Sequence, residues 1–154
     1  MEEKIIILAI IALALLGSVF FMTNQTSIKS EYPSSLHEKE ISVGSQKLLV
    51  WIADTPGSQE RGLMGVKSMA ESEGMLFVFD SPSVKSFWNK NTLLDLDVIW
   101  VAEGRVVGLS ALANEPAHGR VYVGSPMAVD AVLEVNEGWA ARHGVKVGDA
   151  VVEK

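Results

Sequence analysis

Cysteine is absent from this sequence of 154 residues. Its absence excludes a disulfide framework, thiol chemistry and a lipid-modified cysteine, so the fold must be held together by its core.

Clustered positive charge is absent as well. Removing residues 1–22 takes away Lys4, Glu2 and Glu3 and leaves 12 basic and 17 acidic residues, a balance of −5. Because a phosphate-binding face needs clustered lysine and arginine, we expect no nucleic-acid partner.

Motifs for cofactors and metals are also lacking. The sequence contains no phosphate loop, no dinucleotide fingerprint and no zinc-protease motif, so we predict no cofactor. Asp95 and Asp97 could share a divalent cation with His118 or Asn114, but no spacing supplies a third ligand. No metal site is therefore predicted.

Charge is missing from Ile5 to Met22, eighteen residues in a row. As a helix they would reach roughly 27 Å, near the thickness of a hydrocarbon core. The basic start and the small residues of a cleavage site are lacking, so an uncleaved membrane anchor over residues 1–22 is favoured over a cleaved signal peptide. We expect the membrane to be a partner through this segment. The globular domain would lie outside the cytoplasm, or be secreted if the segment is cleaved.

A polar stretch with almost no periodic apolar residues follows the predicted anchor. Residues 23–37 are therefore interpreted as a tether. The length suits one domain with appendages, which assigns residues 38–154 to a single mainly β globular domain.

Many short apolar runs separated by turn residues occupy this domain. Gly44-Ser45 and Glu103-Gly104 are typical of tight hairpins. One short helix is expected after Thr55-Pro56, and a second after Asn136 as its cap, whereas residues 111–119 are predicted to be a loop. The pattern predicts a small barrel or strongly curved antiparallel sheet with two short helices, behind an N-terminal hydrophobic helix.

The stretch from Phe87 to Val101 joins polar residues to core residues. From Leu94 onward one face of a predicted strand is apolar throughout. The other face begins with Asp95 and Asp97 and ends with Ile99 and Val101. One end of the strand should therefore open to water, while the other is buried on both faces.

Several motifs occur in a fixed order along the domain. They are Arg61-Gly62-Leu63-Met64, Glu73 to Phe79, Phe87-Trp88-x-Lys90-Asn91-Thr92 with Leu96-Asp97, and Val132-Leu133-Glu134-Val135 with Gly138 and Gly148-Asp149. Together they resemble the domain of unknown function 192 family over roughly Gln46 to Val152. The resemblance implies a small, mainly β domain, often behind a signal or anchor segment, with no established activity.

Three positions depart from the usual pattern of that family. Asn89 stands where methionine is commoner, Asp95 where proline is commoner, and Val66 where a basic residue is found. If that basic group contacts a ligand in relatives, the resemblance implies a different ligand here.

Asp97 and Glu134 are each embedded in an apolar run, where an unpaired carboxylate is costly to bury. Lys90 and Arg61 are available as partners. In one interpretation the acids form internal salt bridges or accept hydrogen bonds from backbone amides. In the other they line a cleft, where one carboxylate acts as a general base and Lys90 binds an anionic group.

The predicted ligand-binding residues combine two cations, an aromatic ring, an amide, a hydroxyl and two acids. They are Arg61, Trp88, Lys90, Asn91, Thr92, Asp97 and Glu134. Trp100 and Trp139 lie in apolar runs and are expected in the core. No catalytic residue is assigned.

Three functions are compatible with these residues. The first is an extracytoplasmic, membrane-anchored binding or accessory module for a polar small molecule, a glycan or a peptide, or for a protein partner. The second is a hydrolase-like enzyme that uses Asp97 or Glu134 as acid or base. The third is a structural interaction module without a pocket, in which the same residues form internal salt bridges.

Overall fold

The computed structural model describes residues 36–153. The predicted anchor and residues 23–35 of the predicted tether lie outside this range. No helix within the described range is long and apolar enough to cross a membrane.

Nine strands and three short helices make up the described part of the chain. The strands are β1 (Glu38–Val43), β2 (Gln46–Ala53), β3 (Glu73–Ser83), β4 (Ser86–Trp88), β5 (Leu96–Ala102), β6 (Arg105–Leu112), β7 (Tyr122–Gly124), β8 (Val129–Asn136) and β9 (Val151–Glu153). The helices are α1 (Pro56–Arg61), α2 (Glu115–His118) and α3 (Trp139–Arg142).

Seven strands form one sheet in the order β6-β5-β8-β3-β2-β1-β9, and β4 pairs with β7 separately. The large sheet curls into a half-barrel, and its two edge strands come together only at one end. Arg105 forms an isolated bridge with Ala150, and the Val151 amide donates to the Gly104 carbonyl at 2.8 Å. The mainly β, strongly curved architecture is thus confirmed, as are the hairpins at Gly44-Ser45 and Glu103-Gly104.

The prediction that the sheet is antiparallel throughout was wrong at one pair. β2 and β3 run parallel, from Leu49 beside Glu73 to Ala53 beside Phe77. The connection between them, residues 54–72, carries α1 and returns the chain to the end of the sheet where β2 began. Parallel neighbours need such a crossover, whereas a tight turn would have made an antiparallel hairpin.

The number of helices was also predicted incorrectly. α1 and α3 lie in the two predicted places, but residues 111–119 contain α2 instead of only a loop. Asn114 caps α2 by accepting a hydrogen bond from the Ala117 amide at 2.9 Å, and Pro116 lies in its first turn. Asn136 does not cap α3. Its side-chain amide donates instead to the Met69 carbonyl at 2.9 Å.

Two clusters of buried residues lie on opposite faces of the curled sheet. On β5, Ile99 and Val101 belong to the first cluster, while Val98 and Trp100 belong to the second. This part of β5 is therefore buried on both faces, as the sequence predicted. Trp100 and Trp139 are each only 1% exposed, which confirms their place in the core.

Candidate functional site

A pocket of about 80 Å³ lies on the face of the sheet that carries the second cluster. One wall consists of residues 59–64, from α1 and the turn after it. The opposite wall consists of β4 with Lys90 and Thr92. Phe77 of β3 and Glu134 of β8 contribute from the sheet itself. We call this cavity the Glu134 pocket.

The first wall is fixed by the start and end of α1. The Thr55 hydroxyl accepts from the Ser58 amide at 3.2 Å, and the Ser58 hydroxyl accepts from the Thr55 amide at 3.0 Å, which forms a capping box. The helix ends at Gly62, whose φ of +48° favours glycine. Gln59 ties the helix to β3 by donating to the Val78 carbonyl at 2.7 Å. Arg61 is thereby placed at the edge of the pocket.

The second wall is joined to the first through backbone hydrogen bonds. Thr92 forms an isolated bridge with Met64, and the Gly65 amide donates to the Asn91 carbonyl at 2.9 Å. Asn91 has a φ of +52°, in the left-handed region that asparagine tolerates. This tight turn directs Lys90 and Thr92 toward the pocket.

The structure brings five of the seven predicted site residues to one place. Arg61, Trp88, Lys90, Thr92 and Glu134 all line the Glu134 pocket. They come from three separate parts of the chain, residue 61, residues 88–92 and residue 134, which the fold brings together.

Asn91 lies next to the pocket without lining it. Its backbone amide donates to the Glu115 carboxylate at 2.6 Å, and its carbonyl accepts from Gly65. Its role visible in the structure is to hold together the two walls and α2.

Asp97, which the sequence placed among the ligand-binding residues, does not line the Glu134 pocket and caps α3. Its two carboxylate oxygens accept from the Gly138 amide at 3.0 Å and the Ala140 amide at 2.9 Å. Gly138 starts this helix without any side-chain cap of its own, so a residue from β5 supplies the missing acceptor. This arrangement matches the interpretation in which the embedded acid bonds backbone amides.

Glu134 is in the opposite situation. It is 4% exposed, and its strand neighbours are Met75 on β3 and Val98 on β5. Its carboxyl group has no hydrogen bond or ion pair within residues 36–153. Glu134 is nonetheless one of the residues that line the pocket. Burial raises the pKa of Glu134 to about 8, so the group is a neutral acid at pH 7.

Two cations line the pocket with this neutral acid. Lys90 Nζ lies 4.9 Å from the centroid of the Trp88 ring, which attracts it without neutralising its charge. None of the ion pairs within residues 36–153 includes Arg61 or Lys90. Glu60 also lines the pocket, so the ionised lining groups leave one positive charge.

Two of the positions that depart from the family pattern hold the segment that carries α2. Asn89 is fully buried, and its side-chain amide donates to the Ala113 and Gly119 carbonyls at 2.8 and 2.7 Å. Its carbonyl oxygen accepts from the Val121 amide at 2.8 Å. Asp95 accepts from the backbone and side-chain nitrogens of Asn114, and these bonds lower the pKa of Asp95.

This segment brings two charged residues close to the second wall that sequence reasoning missed, although neither of them lines the Glu134 pocket. Arg120 lies 5.4 Å from the Trp88 ring centroid and pairs with Glu115 at 2.7 Å. Hydrogen bonds from the Asn91 amide and from Arg120 lower the pKa of Glu115. The only local signal was the cap and proline of α2.

Val66, the third position that departs from the family pattern, is 3% exposed and packs in the second cluster.

Acidic and histidine side chains do not converge elsewhere in the described range. Within residues 36–153 no three such groups are placed to hold a metal ion. Asp95 and Asp97 bond to different segments, the former to Asn114 and the latter to the start of α3.

Comparison with known proteins identifies the family. The model of the domain of unknown function 192 family, described as "Uncharacterized ACR", matches residues 39–152. A solved structure from Sinorhizobium meliloti 1021, provisionally described as a transcription regulator, is 30% identical with a TM-score of 0.73. The match covers 77% of this chain and 95% of that one.

A second structure, of a protein of unknown function from Novosphingobium aromaticivorans DSM 12444, is also 30% identical. It has a TM-score of 0.72, and the match covers 79% of this chain and 89% of that one. No protein with a curated functional description matches the chain. On the family match over residues 39–152, this chain belongs to the domain of unknown function 192 family.

Proposed function

We propose that this protein is an extracytoplasmic, membrane-anchored binding module whose Glu134 pocket receives an anionic group of its ligand. The supporting observation is the charge of the lining. Arg61 and Lys90 have no ion-pair partner within residues 36–153, and the buried acid that lines the same pocket is neutral at pH 7. An anion would neutralise the remaining positive charge, whereas a cation would be repelled.

The size of the pocket limits what enters it. About 80 Å³ holds a few heavy atoms, whereas pockets for whole drug-sized ligands measure roughly 300–1,000 Å³. The remainder of a larger ligand would lie outside, against the exposed rings of Trp88 and Tyr122, whose centroids are 6.2 Å apart. Such a surface suits part of a small molecule, a glycan or a peptide.

Replacing Lys90 tests this proposal. Lys90→Ala should weaken the binding of acetate or sulfate by about tenfold, as expected for loss of one charge-assisted hydrogen bond. Lys85→Ala is the matched control, because Lys85 stacks on Phe79 at 3.8 Å in the same way but does not line the Glu134 pocket. Isothermal titration of the two variants measures the difference. Equal affinities, or no binding by the native protein, would contradict the proposal.

The location of the domain is a separate part of the proposal. It is supported by the uncharged stretch of residues 5–22, which would hold the chain at a membrane. Protease added to intact cells should digest the globular domain. A cytoplasmic marker should be digested only after permeabilisation. Protection of the domain in intact cells would contradict an outside location.

Acid–base catalysis by Glu134 is the second candidate function. A pKa of about 8 in a pocket is a property of many general acids and bases. Asp97, the other candidate acid, is occupied by two backbone amides. A hydrolase would cleave a chromogenic ester or glycoside, and Glu134→Gln would abolish that turnover.

The alternative, a structural module without a pocket, is disfavoured because Arg61 and Lys90 line a pocket and pair with neither acid.

A further inference from the structure

We propose that the Glu134 pocket selects a monoanionic carboxylate and binds it together with one proton, which Glu134 holds and donates as a hydrogen bond. This inference rests on the proposed function and adds the chemical class of the ligand. No bond is made or broken. The proton stays on Glu134 when it is already there, and is taken up from solution when it is not.

The geometry of Glu134 supports a hydrogen bond to the ligand. Glu134 is only 4% exposed, and it lines the pocket. Its carboxyl group has no partner within the described part of the chain. A neutral carboxylic acid has one O–H donor that must be satisfied when it is buried. A ligand carboxylate oxygen would accept this hydrogen bond.

The other lining groups suit a carboxylate and disfavour a dianion such as sulfate. Arg61 and Lys90 together with Glu60 leave one positive charge, which matches a single negative charge and not two. The guanidinium of Arg61 matches the planar pair of carboxylate oxygens. Leu63 and Phe77 provide apolar lining for the carbon atoms next to the carboxylate.

The groups around Glu134 also determine how binding depends on pH. Its neighbours on β3 and β5, Met75 and Val98, are apolar. Glu60 and Arg61 face it from α1, and Lys90 and Thr92 face it across the pocket. From α2, Glu115 interacts electrostatically with Lys90. Glu134 is the buried acid among these groups. When it ionises near pH 8, its negative charge should lie beside the negative charge of the ligand and weaken binding.

Isothermal titration of the full chain in detergent tests the inference, with acetate, benzoate and sulfate at pH 6.5 and pH 9. Acetate and benzoate should bind more tightly than sulfate, which carries two negative charges. Their affinity should fall about tenfold at pH 9, because the site must first take up a proton. Titrations at pH 9 in two buffers of different ionisation enthalpy should show uptake of about one proton per ligand bound.

Glu134→Gln removes the titrating group while it keeps the shape of the pocket, so it tests the role of the proton. Glutamine keeps a neutral hydrogen-bond donor of nearly the same shape, so this variant should bind carboxylates with equal affinity at both pH values. Glu38→Gln, at an exposed acid outside the pocket, is the control and should retain the pH dependence of the native protein. If the pH dependence persists in Glu134→Gln, the inference is overturned.

Two sources of the carboxylate can be distinguished with the same protein. An acetylated dipeptide with a free C-terminus is compared with its C-terminal amide and with benzoate. Tighter binding of the dipeptide acid assigns the site to a peptide end, and tighter binding of benzoate assigns it to a free small acid. Equal binding of the amide would overturn the inference. Sulfate binding as tight as acetate would overturn it too but leave the proposed function standing, whereas absence of all anion binding would overturn both.

Discussion

Asp97 and Glu134 lie almost side by side on adjacent strands, yet their surroundings are opposite. Asp97 pairs with Val135 and Glu134 pairs with Val98, so the two acids are one step apart along the sheet and point to different faces. Asp97 has both oxygens hydrogen-bonded to the first amides of α3. Glu134 has no protein partner within residues 36–153 and opens onto a pocket.

The difference shows how a half-barrel uses embedded polar groups in two ways. On one face a polar side chain satisfies the backbone of a segment packed above it, as Asp97 does for α3. On the other face the segment above leaves a cavity, and the polar side chain stays available to a ligand. Asn89 belongs to the first kind, since three hydrogen bonds occupy its side chain.

The largest effect is expected when a satisfied polar group is removed. Asn89→Met, which introduces the residue commoner in the family, would leave the Ala113 and Gly119 carbonyls and the Val121 amide without their partner. The free energy of unfolding should fall by about 4 kcal/mol, because three hydrogen bonds that contribute about 0.5–1.5 kcal/mol each are lost. Urea denaturation measures this loss.

Gln46→Met is the control for that variant. It makes the same change from amide to thioether, but the Gln46 amide bonds only the exposed Ser45 hydroxyl. Its stability should stay within about 0.5 kcal/mol of the native value. A similarly small loss of stability for Asn89→Met would show that the segment that carries α2 does not need the three hydrogen bonds of Asn89.

Glu134→Gln should raise the free energy of unfolding at pH 7, whereas Asn89→Met lowers it, because Glu134 is the group without a partner. The pKa of Glu134 is about 8 in the folded chain and ordinarily 4.5. Between these values the folded state holds a proton that the unfolded chain has released, so stability falls as the pH rises through this window. At pH 7 the loss should reach about 3 kcal/mol, and Glu134→Gln should avoid it.

Urea denaturation at pH 4.5, 7 and 9 checks this expectation. The native protein should lose stability over the range and Glu134→Gln should lose much less. Glu60→Gln, an exposed acid of the same pocket, should follow the native curve. Parallel curves for the native protein and Glu134→Gln would mean that Glu134 is ionised in the folded chain.

Local sequence was sufficient for much of the fold, and five of the residues it singled out line the Glu134 pocket. Two-residue turns predicted the hairpins, and alternating side chains predicted that Val98 to Val101 is buried on both faces. The parallel pair of β2 and β3 was not predictable in this way, because it depends on where residues 54–72 return the chain. Strand direction after a long connection is a property of the whole fold.

The different roles of the two acids also lay beyond local sequence. Both lie in apolar runs, and nothing next to either residue in the chain tells them apart. The partners of Asp97 are 41 and 43 residues away, and the walls around Glu134 come from residues 59–64 and from β4 with Lys90 and Thr92. The sequence could therefore name the candidates, and only the packing of distant segments separated the cap from the pocket acid.

The smallest of the three effects is expected at Asp97 itself. Asp97→Asn keeps one acceptor oxygen but turns an NH₂ group toward the Gly138 or Ala140 amide, where two donors would meet. Loss of one charged cap bond should lower the free energy of unfolding by about 2 kcal/mol. Asp80→Asn, the same change at an exposed position, should have almost no effect. Asp97→Asn should leave the affinity for carboxylates unchanged, since Asp97 does not line the Glu134 pocket. A variant that kept its stability but lost carboxylate binding would place Asp97 with Glu134, and the contrast between the two acids would fail.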